Sequence, residues 1–495
     1  MIGQPTADPR RVVILGGGFA GVSAAQELAK RLRSEGRLVR AGRPVGEGRL
    51  IRAGRLVGRQ RPGEGTDAAE VDGSVEIVLL NRDNYFVFQP LLADILSGTI
   101  ETTHVVVPLR RMLRDVEVEV AIVEGIDPGR REVHARRRMG GERLTLGYDA
   151  LIVALGSVTD FGSVPGMAEH ALGIRTLGDA FYLRNRALDM LEEATIEPDP
   201  DRRRRLLTFV VVGGGSTGAE VAAELRDLLR VAGRTFPRLA PDEPRVVLVH
   251  RGQRVLEAFG DRLARYATRK LAQTGVELVL NRRLVRVHAD RVELDDGSSI
   301  EAGTVVSTVG NAPHPVVAAL PGPKDERGWI MPDATFAVPG LEQIWVLGDS
   351  ASIVEPGTGR PMPATAQHAI REGPVAARNV LAVLDGRAPT PFSYRTQGML
   401  VSLGRFKGVG EIRGVRVSGF LAWFLWRSYY LLRLPTFERR IRVAIDWTLD
   451  LILARDVVEI NVRRTRTRPG EPVGEERGEF VSVGARRDAE DELVV

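Results

Sequence analysis

Apolar residues follow two periods along this chain. Short apolar runs bounded by glycine or polar residues alternate with longer segments in which apolar positions recur every three or four residues. The runs Val12 to Leu15, Ser74 to Leu80, Tyr148 to Leu155, Phe209 to Val212, Arg245 to Val249 and Ile344 to Leu347 read as buried strands. Helical spacing follows at about Val22 to Leu32, after Gly218, and at Leu177 to Ala194, which a charged link, Glu197 to Arg205, follows. Strands alternating with helices predict an α/β protein built on parallel sheets. A later block, GFLAWFLWRSYYLLRLP (Gly419 to Pro435), is apolar and aromatic with arginines at its end. Arg439-Arg440-Ile441-Arg442 and Val443 to Leu453 come after it.

Two of the strand runs end in the same punctuation. Val12-Val13-Ile14-Leu15 leads into Gly16-Gly17-Gly18-Phe19-Ala20-Gly21, and Phe209-Val210-Val211-Val212 into Gly213-Gly214-Gly215-Ser216-Thr217-Gly218. Each is G-x-G-x-x-G between a strand and a helix. In that setting the first glycine permits a tight turn and the second lets backbone approach a pyrophosphate. The third lets the helix pack on the strand. The helix N-terminus adds N–H groups and a dipole for the anion. One copy also suits a plain structural turn. Two copies a domain length apart imply two dinucleotide sites, and passing hydride between them is their simplest use.

The segments between these landmarks carry further candidates. In folds of this kind an acidic side chain near the end of the second strand takes the ribose hydroxyls. Asn81 holds that place in the first half, with Arg82 and Asp83 after it, and His250-Arg251 hold it in the second. Histidine and arginine there suit a 2′-phosphate or simply face solvent, so NADH and NADPH stay open. Tyr85 to Leu92, with Gln89 and Pro90, suits a rigid wall beside a flat ring or plain core packing. Gly156-Ser157 and Gly348-Asp349 are turns at strand ends. Gly36 to Glu47 is nearly repeated by Gly48 to Arg59, so residues 34–73 are expected to form a glycine/arginine-rich surface insertion. A basic arm touching anionic lipid is its functional alternative.

Composition narrows the chemistry. The chain has 495 residues, enough for two or three domains, and a net charge of +5 that suits nucleic acid, an anionic membrane or anionic cofactors. No RNA-binding signature or zinc-finger spacing occurs, so neither a nucleic-acid partner nor a metal is expected. There is no cysteine, which excludes disulfide-reductase, sulfide-oxidising and thiol-peroxidase chemistry. The electron acceptor must then meet the redox ring directly. No secretory signal and no apolar run of about 18 residues is present, so no spanning helix is expected. The closing aromatic and arginine segments suit a lipid headgroup boundary, with a homodimer interface as the competing explanation.

In combination, GGGFAG, NYFVFQPLL, YDALIVALGS, GGGSTGAEVAAEL, TVGNAP, WVLGDSA, PATAQHAIREG, FLAWFLWR and IRVAIDWTLDL carry a family likeness. The chain resembles the type II NADH dehydrogenases, the single-subunit NADH:quinone oxidoreductases of the FAD-dependent pyridine nucleotide-disulfide oxidoreductase superfamily. The resemblance implies two Rossmann-type, three-layer ββα domains plus a C-terminal membrane-associating helical module. The FAD domain would take residues 1–160 and 319–395, the NAD(P)H domain 161–318, the membrane-association region 396–463 and a disordered tail 464–495. FAD would lie on Gly16, Gly18, Phe19, Ala20 and Gly21, with Asn81, Arg82, Gly156, Gly348 and Asp349 around it. Val123 would lie near the adenine, and Gln89 and Pro90 near the isoalloxazine. NADH or NADPH would lie on Gly213, Gly215, Ser216 and Gly218, with His250, Arg251, Gly310 and Asn311. Glu220 would sit between nicotinamide and flavin, and Ala366, Gln367 and His368 at a quinone pocket. Arg371 stands where the family often has a second glutamine.

The implied reaction passes hydride from NAD(P)H to flavin N5 and two electrons on to a membrane quinone. It would be non-electrogenic, at the cytoplasmic face of the cell membrane. A soluble flavoprotein reductase of ferredoxin or a small carrier is the alternative, and a non-catalytic nucleotide-binding redox sensor a further one.

Overall fold

Val12 and Ile14 face one side of the strand Arg10–Leu15, Val13 and Leu15 face the other, and all four are fully buried. A strand covered on both faces belongs inside a parallel sheet. In the computed structural model it runs parallel to Val75–Asn81 and to Ala150–Val153. The sheet order is Ile344–Val346, Ala150–Val153, Arg10–Leu15, Val75–Asn81, Glu117–Asp127, Glu132–Arg137, Arg143–Gly147. The last three strands are antiparallel. Val12 and Ile14 pack with Ala24 and Leu28 of the helix Phe19–Ser34. Val13 and Leu15 pack with Val133 and Leu144 of the antiparallel layer.

The second half repeats this scheme. Ala171–Leu172, Thr304–Ser307, Thr208–Val212, Arg245–His250 and Val276–Leu280 form a parallel sheet in that order. Phe209 and Val211 meet Ala219 and Ala222 of the helix Ser216–Ala232, while Val210 and Val212 meet Leu284 and Val292 of an antiparallel meander. Two three-layer ββα units are therefore present, the second inserted within the first. The helix Ala366–Leu384 returns to the first unit and crosses the helix Phe19–Ser34 at Gly373. A Cβ there would stand 2.2 Å from Ser23 Oγ and 2.5 Å from the Ala20 carbonyl, so glycine sets how closely the two helices approach.

The structure describes residues 9–39, 73–240, 242–355, 359, 361–453, 455 and 457–459. Most of the repeated insertion and the whole of the tail 464–495 lie outside the described residues. Leu38–Val39 already pairs parallel with Val75 and Glu76, so regular structure runs further than the expected start of the insertion. The charged link Glu197 to Arg205 contains the helix Pro200–Leu206. Proline starts it and the Asp199 side chain caps it by accepting from the Asp201 N–H.

Residues 396 onward pack on the cores of both units. Trp426, Leu434, Val443 and Trp447, from the helices Phe420–Arg433 and Phe437–Ile452, join the core of the first unit. Val401, Leu403 and Val409, from the hairpin Gly398–Ser402 and Gly408–Ile412, join that of the second. Periodicity could not show this, because an aromatic stripe looks the same whether protein or lipid covers it.

Candidate active site

Both glycine turns have the geometry of a phosphate cradle. In the first, Gly16 has φ +103° and a Cβ on it would stand 2.2 Å from the Ala154 carbonyl oxygen. A Cβ on Gly21 would stand 1.9 Å from the Gly16 oxygen. In the second, Gly213 has φ +116° and a Cβ on Gly218 would stand 1.9 Å from the Gly213 oxygen. Gly18 and Gly215 differ from these, since a Cβ on either meets nothing within 4 Å. Each begins its helix with no side-chain cap and no acidic residue in the first turn. Free N–H groups beside open space at a helix N-terminus suit a dinucleotide pyrophosphate. The described residues thus fit FAD and a nicotinamide dinucleotide.

The two cradles are finished alike. Gly17 N–H donates to Asn81 Oδ1 at 2.8 Å, and Gly214 N–H to His250 Nδ1 at 3.1 Å. Accepting on Nδ1 puts the His250 proton on Nε2, and burial lowers its pKa. In the first cradle the turn Gly348–Ser350 lies across the helix start, where a Cβ on Gly348 would be 3.1 Å from that of Ala20. Gly156 N–H donates to Ser350 Oγ at 2.8 Å. Gly348 N–H donates at 2.7 Å to buried Glu372, whose carboxyl burial pushes up to about 7. Burial also raises Asp349, and Arg175 at 3.4 Å opposes that shift.

Glu220 and Gln367 are far apart in sequence, and one strand holds both. Glu220 Oε1 accepts from Ser402 N–H at 3.1 Å, and Gln367 Nε2 donates to the Gly398 carbonyl at 3.1 Å. These are the two ends of Gly398–Ser402, about 13 Å apart at the rise of an extended chain. Tyr394 donates to Gln367 Oε1 at 3.3 Å, and Arg371 donates to the Gln367 carbonyl at 2.6 Å with its guanidinium 4.3 Å above the Tyr394 ring. His368 is buried between Thr365 (2.7 Å) and Thr396 (3.2 Å). Ala366 opens the same helix. Burial pushes Glu220 up to about 8, and Tyr430 upward as well. The Tyr430 ring bridges Trp426 (5.0 Å) and Phe88 (6.1 Å).

Other expected residues are placed differently. The Val123 side chain is buried in the core on the antiparallel side, so only its backbone is left to meet a ligand. Phe86 and Phe88 are core residues against Phe19, whereas Gln89 is exposed and Pro90 half-buried at the turn Gln89–Leu91. Arg82 is exposed and pairs with Asp83 at 3.2 Å. Ser216 opens the second glycine helix, and Arg251 is exposed beside it in sequence to His250. Gly310, with φ +78°, packs on Asp160, while exposed Asn311 accepts from Arg175 at 3.1 Å. Sequence reasoning missed Arg175, Glu372, Tyr394, Ser402 and Tyr430. Glu372 lies within PATAQHAIREG, a segment that the family likeness already singled out, and that was the signal available for it. The others are recognisable only by what they touch.

The family model for pyridine nucleotide-disulphide oxidoreductases matches residues 65–373, and the NDH2 C-terminal domain matches 396–456. The chain is 32% identical to the internal alternative NAD(P)H-ubiquinone oxidoreductase A1 of Arabidopsis thaliana, over 79% of this chain and 82% of that protein. It is 28% identical to the type II NADH:quinone oxidoreductase Ndh of Mycobacterium tuberculosis, over 91% of each. The NDH2 of Plasmodium falciparum shares the fold with a TM-score of 0.75, at 16% identity, over 91% of this chain and all of that one. The sequence motifs, the twin cradles and these matches agree: this chain belongs to the pyridine nucleotide-disulphide oxidoreductases and, among them, to the type II NADH:quinone oxidoreductase family.

Proposed function

We propose that the chain is an FAD-dependent NAD(P)H:quinone oxidoreductase that works at a membrane surface and moves no charge across it. The observation that carries this reading is the pair of open cradles whose polar side chains, Glu220 and Gln367, are tied to opposite ends of one strand. FAD, when bound, supplies hydride acceptance and two-electron delivery. The chain's residues bind, orient and hold protons. The N–H groups after Gly18 and Gly215 take the two pyrophosphates. Glu220, one turn into the second glycine helix and largely protonated at neutral pH, holds a proton beside the rings. Gln367, steadied by Tyr394 and Gly398, meets a quinone oxygen.

The nucleotide choice follows from what replaces the usual ribose carboxylate. A Cβ on Gly252 would stand 2.7 Å from His250 Nε2 and 2.6 Å from Glu257 Oε1. Glu257 therefore returns a carboxylate to the place where His250 lacks one. A carboxylate accepts from ribose hydroxyls and repels a 2′-phosphate. Anaerobic stopped-flow bleaching of the bound flavin is expected to be faster with NADH than with NADPH, with reoxidation by a short-chain quinone. Glu257→Gln should narrow the nucleotide gap. Colourless protein, or colour that survives excess NADH, overturns the proposal.

Membrane docking would use the last two described helices. Phe420, Leu421, Phe424 and Leu432 on one, and Phe437, Ile441, Ile445, Leu449 and Ile452 on the other, are exposed, with Arg433 and Arg442 beside them. Among the described residues no helix is long and apolar enough to cross a membrane. An apolar face bordered by arginines suits the headgroup boundary of the cytoplasmic leaflet. The double variant Phe424→Glu with Ile445→Glu is expected to leave anionic vesicles in a flotation assay and still oxidise NADH with a water-soluble quinone. A variant that stays on vesicles but changes from dimer to monomer would assign this face to self-association.

A further inference from the structure

Glu220 is one end of a charge cluster that the reaction above leaves otherwise unused. On the helix Ser216–Ala232, Glu224 follows one turn later and Asp227 nearly two turns later, so the three carboxyls share a face. The helix Leu92–Leu96 packs on this helix and brings Asp94. The last two described helices bring Arg427 and Asp450, and Arg455 closes the group. Arg455 pairs with Asp227 at 2.6 Å and Asp450 at 2.5 Å, Arg427 reaches Asp450 at 3.7 Å, and Arg230 pairs with Asp227 at 2.6 Å.

The remaining acids are differently placed. Among the described residues, no guanidinium or ammonium lies within ion-pair distance of Asp94, Glu220 or Glu224. Asp94 is 5% and Glu224 7% exposed. An unpaired carboxylate is costly in such surroundings, so Glu220 and Glu224 favour bound protons.

We propose that Glu224 is a proton store that refills Glu220 after each quinone reduction and is itself restored through Asp94, a role that rests on the quinone reading above. Reducing a quinone to a quinol takes two electrons and two protons. The hydride equivalent that began on the nicotinamide brings two electrons and one proton. The other proton comes from Glu220, whose O–H bond breaks as an O–H bond forms on the quinone oxygen, leaving a carboxylate. Glu224 then passes its proton to Glu220, and surface water restores the store. The groups facing these carboxyls agree with that order. Glu220 faces the Ser402 N–H, Trp426, Tyr430, Asp94 and Glu224. Glu224 faces Asp94, Ser97, Asp227 and Arg455. Asp94 faces Trp447, Arg427, Arg455 and Asp450. Burial pushes Glu220 and Glu224 up to about 8 and Asp94 up to about 6, so the proton at Asp94 is the most easily lost.

Glu224 acts through Glu220, so its test needs a readout that a structural role would not move. Full-length, FAD-loaded protein is reduced with NADH without oxygen and mixed with a short-chain quinone, with flavin colour and a pH dye followed together. For Glu224→Gln, the first reoxidation is expected to keep pace with the wild type, because Glu220 starts protonated. Later turnovers should slow by at least about fivefold, with a solvent deuterium effect that the wild type lacks. Glu224→Asp should restore them, and infrared difference spectra should lose a protonated-carboxyl band in Glu224→Gln alone. Equal first and later turnovers in Glu224→Gln, with an unchanged isotope effect, would overturn the store. If Glu224→Gln does not fold, Asp94→Asn decides, since slowed later turnovers support the store and unchanged ones reject it. A wild type that never reoxidises with quinone rejects the quinone reading itself.

Discussion

Gly218→Ala is expected to abolish NADH oxidation, and Gly215→Ala to fold normally but bind NADH weakly. The two positions lie in one turn and differ only in what a methyl group would meet. At Gly218 it would stand 1.9 Å from the Gly213 oxygen and 2.7 Å from Thr308 Oγ1. Neither neighbour can yield easily, because the oxygen is backbone and Thr308 is tied to the Val212 carbonyl at 2.7 Å. The helix must lift off the strand. Overpacking of this kind costs about 1–3 kcal/mol or more, and the cradle loses its shape with it. At Gly215 nothing stands within 4 Å, so the methyl fits the protein and fills the place of a phosphate. A KM for NADH raised by at least about tenfold, or about 1.4 kcal/mol, should follow with FAD content unchanged. Absorbance of the purified variants and steady-state KM values check both outcomes. A Gly215→Ala enzyme with wild-type KM would remove the pyrophosphate from this turn.

Glu220→Gln should cut quinone reduction by at least about tenfold, and by up to the roughly 10²–10⁴-fold that a positioned proton donor contributes. The pH dependence has a definite sign. Burial pushes the carboxyl from 4.5 up to about 8, so the acid form dominates at neutral pH and is lost above about pH 8. Wild-type turnover is therefore expected to fall as pH passes about 8, and Glu220→Gln to be flat there. Because Glu224 lies one turn away with a similarly raised carboxyl, the observed break belongs to the pair. Stability follows from the same shift. With a folded pKa above the unfolded one, the contribution is full below 4.5. It declines as pH rises from there and levels off once pH exceeds about 8. Glu220→Gln should thus raise Tm relative to wild type at pH 9 and change it least at pH 4. A Tm difference independent of pH would mean that folding leaves the Glu220 carboxyl at its unfolded value.

Much of the fold is legible from local rules. Val12 to Leu15 and Phe209 to Val212 are apolar on both faces, and only a central parallel strand buries both. The glycines after them fit because first-position φ values above +100° and Cβ contacts under 2 Å exclude other residues. The helix Pro200–Leu206 was missed because its arginines hid a proline start and an aspartate cap. The likeness to a known family placed Glu220 and Gln367, but nothing near either in sequence points to Gly398–Ser402 as their shared support. Asn81 and His250 look like defects in a ribose site until their bonds to Gly17 and Gly214 are seen.

Local sequence by itself determined the two nucleotide folds, because turn geometry and strand burial depend on neighbours a few residues away. It also determined that no thiol takes part, because cysteine is absent. Only the tertiary structure decided which carboxyls burial raises. Asp94, Glu220 and Glu224 are unremarkable in their own segments, and Arg427, Asp450 and Arg455 look like surface charges. Packing of the last two described helices on the cores of both units gathers them where water is scarce. Their protonation then depends on burial and on the few guanidiniums within reach.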